Sequence, residues 1–158
     1  MRTRRPSIVH NDFADLGHLS GNVTDTIRQF GYGIIGGMLR GRLLTESLQI
    51  GAELAVPDLV VRRLGRVDVS SSASATQPKT WTFLGFEAPD ERADELAAAL
   101  ASTLLADDGW YANFEVGDQD VVIFANTVFQ YAKGDTTARQ RARAYGLTAG
   151  TPEHQLDW

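Results

Sequence analysis

From Thr80 to Ala149 the sequence switches between two hydrophobic periods, in an order that few folds accommodate. Thr80–Glu87 is β-branched and aromatic, and reads as a strand. Past Ala88-Pro89, Asp90 is a good N-cap, and Glu91, Asp94 and Glu95 put carboxylates at the positive end of a helix. Ala93, Leu96, Ala97, Leu100 and Leu104 then recur at helical spacing until Asp107-Asp108-Gly109 stops them. In the next strand Trp110, Ala112, Phe114 and Val116 share one side, and Tyr111, Asn113 and Glu115 the other. Val121–Ala125 and Val128–Tyr131 flank Asn126-Thr127, which reads as a tight hairpin turn. A second helix starts at Asp135, runs through Ala138, Ala142 and Tyr145, and ends at Gly150; Thr151-Pro152 opens one more helical turn.

With Leu59–Val69 placed ahead of this series, the expected fold is α+β. An antiparallel or mixed ferredoxin-like sheet carries its helices on one face. N-terminal elements extend or cover that sheet, with a strand within Leu39–Leu48 and a helix starting near Thr24. Residues 1–158 read as one domain, with an irregular segment over 1–22 and a flexible Ser/Ala-rich loop over 70–79 between two strands.

The chain has 158 residues and no cysteine, which excludes a disulfide framework, thiolate metal sites and a thiol nucleophile. Its net charge of −5 does not suit a nucleic-acid binder. Residues 67–132 concentrate the acidity, with Lys79 and Arg92 their only basic side chains. The longest apolar run, Gly33–Leu39, is closed by Arg40 and falls well short of the ~20 residues of a membrane span. Basic Met1–Arg5 is followed by no apolar stretch. A cytoplasmic protein without membrane contact is expected.

Several residue groups invite a chemical reading. Gly31-Tyr32-Gly33-Ile34-Ile35-Gly36 has the letters of a dinucleotide fingerprint, with Glu53 downstream. The segment before it reads as helix where a strand is required, so a glycine-rich bend is expected and no cofactor. His10, Asp12 and His18 are metal-ligating types, but their spacing matches no firm pattern and no metal is expected. Arg62, Arg63 and Arg66, with Arg139, Arg141 and Arg143, either clamp an anion or pair with the acidic helix start. No nucleophile elbow is present. Tyr111, Glu115 and His154 are the candidates for general acid–base work, each with a structural alternative.

The aromatic set is the densest feature. Trp81 and Phe83 share a strand face with Glu87 while Leu84 and Phe86 take the other, so neither face reads as solvated. One face must bury against the helices; the other needs an N-terminal cover, a second subunit or an apolar ligand. The expected ligand-binding set is Trp81, Phe83, Tyr111, Asn113, Tyr131, Arg62 and Arg66.

Asp108–Phe114, Val121–Phe124, Val128–Tyr131, Lys133-Gly134-Asp135, Tyr145-Gly146 and Thr151–Trp158 resemble small bacterial proteins with no assigned activity, over residues 80–158. The strand–helix unit Thr80–Leu105 is similar, at the level of fold, to dimeric α+β barrel proteins. That resemblance implies a homodimer and a class including cofactor-free oxygenases, cyclases and isomerases of secondary metabolism. Two functions follow: an accessory protein binding a partner or small organic ligand on its aromatic sheet face, or a small cofactor-independent enzyme.

Overall fold

A computed structural model of the chain describes residues 36–158. Strands β1 (Met38–Leu44), β2 (Val60–Asp68) and β3 (Thr80–Pro89) precede helix α1 (Ala93–Thr103). Strands β4 (Tyr111–Val116), β5 (Gln119–Phe124) and β6 (Thr127–Ala132) follow, then helix α2 (Thr136–Thr148) and a short 3₁₀ turn at Glu153–Gln155. The fold is α+β, with one six-stranded sheet in the order β2-β3-β1-β4-β5-β6. Every neighbouring pair is antiparallel.

The expected order of elements from residue 80 is present; its arrangement differs in three ways. β1 does not extend the sheet but lies at its middle, with Leu39 opposite Ala88 of β3 and Arg40 opposite Glu115 of β4. β3, α1 and β4 thus form one split β-α-β unit around β1. The second split unit of a ferredoxin-like fold is not formed among the described residues, because α2 leads into a tail and not a strand. Nor do the helices share a face. Leu96 and Leu100 of α1 pack with Val121, Ile123 and Phe114, whereas Ala138 and Ala142 of α2 pack with Val122, Phe124 and Tyr131. Alternate residues of β5 therefore serve opposite helices, which is why Val121–Phe124 is apolar without interruption.

The turns show how local chemistry places these elements. The β5–β6 hairpin turns on Ala125-Asn126, one residue earlier than expected: Phe124 pairs with Thr127, and Asn126 takes the left-handed conformation at φ 57°. Its Asn126 N–H donates to the Ala101 carbonyl of α1. Asp135 caps α2 by accepting from the Ala138 N–H at 2.9 Å. Asp90 makes no such bond, because a 3₁₀ turn at Asp90–Arg92 precedes α1. Its Oδ1 is buried without a partner, and burial, then the charge of Glu91, raises its carboxyl. Past the end of β1, the Thr82 N–H of β3 has no strand partner, and Glu46 takes it at 2.8 Å. Gly146 in α2 lets the helix approach the tail: a Cβ there would meet Leu156 at 2.8 Å and Phe124 at 3.1 Å.

Candidate functional site

The face carrying α2 divides into two unlike halves. Over β4, β5 and β6 it is aromatic and covered. Tyr111, Phe124, Phe129 and Tyr145 meet there with ring centroids 5.1–6.2 Å apart, and Trp158 of the tail joins Tyr111 at 4.9 Å. Over β2, β3 and β1 the face carries Arg40, Arg42 and Arg62, all exposed, with Phe83, Gly85 and Glu87 between them. Arg42 lies in register with Gly85 on one side and Asn113 on the other, and has no ion pair among the described residues. Glu87 pairs with two arginines at once, accepting a hydrogen bond from Arg62 at 2.8 Å and lying 3.1 Å from Arg40. Both pairs are solvent-facing, each worth at most about 1 kcal/mol.

The covered half is closed by the chain's own tail, residues 151–158. Arg139 donates from Nε to the Trp158 main-chain oxygen at 2.9 Å and a second time from Nη2. Arg143 donates to the Leu156 carbonyl, the Tyr111 hydroxyl to the Gln155 carbonyl at 2.5 Å, and Trp158 Nε1 to the Tyr131 hydroxyl at 2.7 Å. At the end of the sheet His154 Nε2 and Gln155 Nε2 each lie 2.9 Å from the Ser72 carbonyl. Facing a carbonyl oxygen, that imidazole nitrogen carries the proton. The serine-rich 70–79 segment is held further by Gln77 Nε2 on the Asp108 carbonyl and by Lys79 on the carbonyls of Ala73 and Ser74.

This arrangement disperses the expected site residues. Tyr111, Asn113 and Tyr131 lie on the α2 face, Tyr111 and Tyr131 under the tail. Burial first, then the negative charge of Asp157, pushes the Tyr111 phenol well above its ordinary value of 10. Burial likewise raises Tyr131, against the hydrogen bond from Trp158. Trp81 is buried edge-on to Trp110 at 5.6 Å, with the Phe83 ring 6.3 Å away and its own Nε1 unpartnered. Arg62 is on the open half, whereas Arg66 falls on the α1 face, opposite Thr82. Of the acid–base candidates, Glu115 pairs with Lys133 at 2.6 Å while Tyr111 and His154 bind carbonyls, so the three share no partner. His10, Asp12 and His18 lie outside the described residues, as do residues 31–35 of the glycine motif. Gly36 leads into a strand where a dinucleotide site needs a helix. Among the described residues no group of three metal-ligating side chains occurs, and no helix is long and apolar enough to cross a membrane.

Sequence reasoning missed Arg40 and Arg42, and for Arg139 and Arg143 it offered an anion clamp or pairing with the acidic helix start, whereas both hold the tail. Their i, i+4 spacing on α2 was the available signal; what they grip is backbone and leaves no mark in sequence. A cavity of about 150 Å³ lies beside this region, lined by Leu105, Gly109, Trp110, Phe124, Tyr145 and Ala149 among others. Comparison with known proteins returns no matching family model, no matching curated protein and no matching solved structure.

Proposed function

We propose that the protein is a cytoplasmic, non-catalytic binding module whose working surface is β2 with the arginine-lined half-sheet beside it, and whose partner is an extended acidic segment of another polypeptide. The carrying observation is β2 itself. It is a nine-residue strand at the sheet edge, and Val61 and Leu64 are 52% and 67% exposed. Long edges carrying apolar side chains template the addition of a further strand. A bulge between Val61 and Arg63 interrupts the edge once, leaving Arg63–Asp68 as a regular run. Arg62, Arg63 and Arg66 give this strand a positive character that complements acidic side chains.

The commitment of Tyr111, Glu115 and His154 to internal partners favours binding over the enzyme reading. A homodimer through the same edge is the second reading, favoured by the exposure of Leu64 and opposed by the arginines that self-pairing would bring together.

Titration of the ¹⁵N-labelled chain with a synthetic peptide of alternating valine and glutamate tests the proposal. Amide shifts confined to β2 and its neighbours, and abolished by Leu64→Lys with Arg62→Glu, are expected. Shifts elsewhere, or none at millimolar peptide, would overturn it. A dimer in sedimentation equilibrium that Leu64→Lys dissociates would establish the second reading.

A further inference from the structure

Trp158 is held as a ligand would be held. Its indole ring lies against Tyr111 at 4.9 Å and edge-on to Phe124 at 6.4 Å. Its Nε1 donates to the Tyr131 hydroxyl at 2.7 Å, and its main-chain oxygen accepts twice from the Arg139 guanidinium. These contacts supply two aromatic walls, one acceptor for a ring N–H and one cation for an oxygen anion. None of them requires the covalent link through Asp157, which is itself exposed. The anchor of the tail lies earlier, at Leu156, whose side chain is buried against Gly146 and whose carbonyl Arg143 holds. The indole is part-exposed, so the groove opens to solvent.

We propose that this groove is a binding site for small planar aromatic carboxylic acids that carry a ring N–H, and that Trp158 is its intramolecular occupant. The acid's ring takes the place of the indole against Tyr111 and Phe124. Its N–H donates to Tyr131, and its carboxylate takes both Arg139 donors, as the main-chain oxygen of Trp158 does. Binding therefore competes with the tail. Apparent affinity in the intact chain is lowered by the fraction of molecules whose groove is already filled. The site is separate from the β2 surface, and either can fail without the other.

The test uses indole-3-propionate as probe, with indole as its uncharged control. In the full chain bearing Trp158→Ala, the probe is expected to bind at least tenfold more tightly than in the unsubstituted chain, read by calorimetry and by the rise in Tm. Adding Arg139→Gln is expected to weaken indole-3-propionate at least fivefold while leaving indole unchanged. A folded Trp158→Ala variant with no response to millimolar probe would overturn the proposal, as would equal weakening of both probes by Arg139→Gln. Should that variant not fold, the unsubstituted chain labelled with 5-fluorotryptophan supplies the measurement. Millimolar probe must shift the Trp158 fluorine resonance towards its solvent-exposed position, and an unmoved resonance would refute displacement.

Discussion

Gly41 of β1 lies opposite Phe86 of β3, and the Phe86 ring occupies the place where a side chain on residue 41 would sit. The Cβ of Phe114, from β4 on the other side, closes the same space. The absence of a side chain at the middle of the sheet lets the Phe86 ring and the Phe114 side chain both close over the central strand. Gly41→Ala is expected to cost about 1–3 kcal/mol by overpacking. Gly65→Ala, where a Cβ meets nothing within 4 Å, is expected to stay within about 0.5 kcal/mol of the parent. Urea unfolding of the two variants checks the contrast.

Glu46 gives acid sensitivity to the end of β1. Burial by itself raises its carboxyl, but hydrogen bonds from the Thr82 and Glu46 backbone and from the Thr82 and Thr45 hydroxyls outweigh burial and hold it below the ordinary 4.5. A lowered folded value means stability fully present above the ordinary one and lost as pH falls through the folded one. Glu46→Gln is expected to cost about 1 kcal/mol at neutral pH, discounted for solvent. It should also flatten the loss of stability below about pH 4.5. Unfolding curves from pH 3 to 7 measure both effects.

Tyr111 should mark the alkaline limb. Its phenol is raised, so its contribution is full below the ordinary value and disappears as pH rises through the folded one. Ultraviolet titration is expected to leave at least one phenol un-ionised near pH 11 in the folded protein. Tyr111→Phe should lower the count of un-ionised phenols there by one and cost about 1 kcal/mol through the lost bond to the Gln155 carbonyl.

Asp135→Ala is expected to destabilise the protein by about 1 kcal/mol, and Asp135→Ser by much less, because serine still accepts from the Ala138 N–H. Thermal unfolding of both variants distinguishes a lost cap from a lost charge.

Much of this fold is legible in sequence because its elements obey local rules. The alternation in Tyr111–Val116, the stripe of α1 and the cap at Asp135 each reflect contacts within a few residues. The unbroken run Val121–Phe124 also held the sign that both faces are covered, although it names no cover. What local pattern does not encode is partnership at a distance. Met38–Leu44 has the same period whether it lies at an edge or in the middle, and Arg139 looks alike whether it meets a ligand or the chain's own main-chain oxygen. The candidate site was legible in its residue types and not in its geometry, because the tail bonds that occupy Tyr111 and Tyr131 are set by tertiary docking.

The insertion of β1 between β3 and β4 has a consequence for how the molecule is made. Residues 38–44 leave the ribosome early, yet their hydrogen-bonding partners run as late as Glu115. Until then β1 can pair on one side only, with β3, and Leu39 and Leu43 lack the Ala112 and Phe114 side of the core they enter. Nascent chains of this topology hold one side of an apolar strand open until β4 arrives, and long-range pairing of this kind is slow to complete.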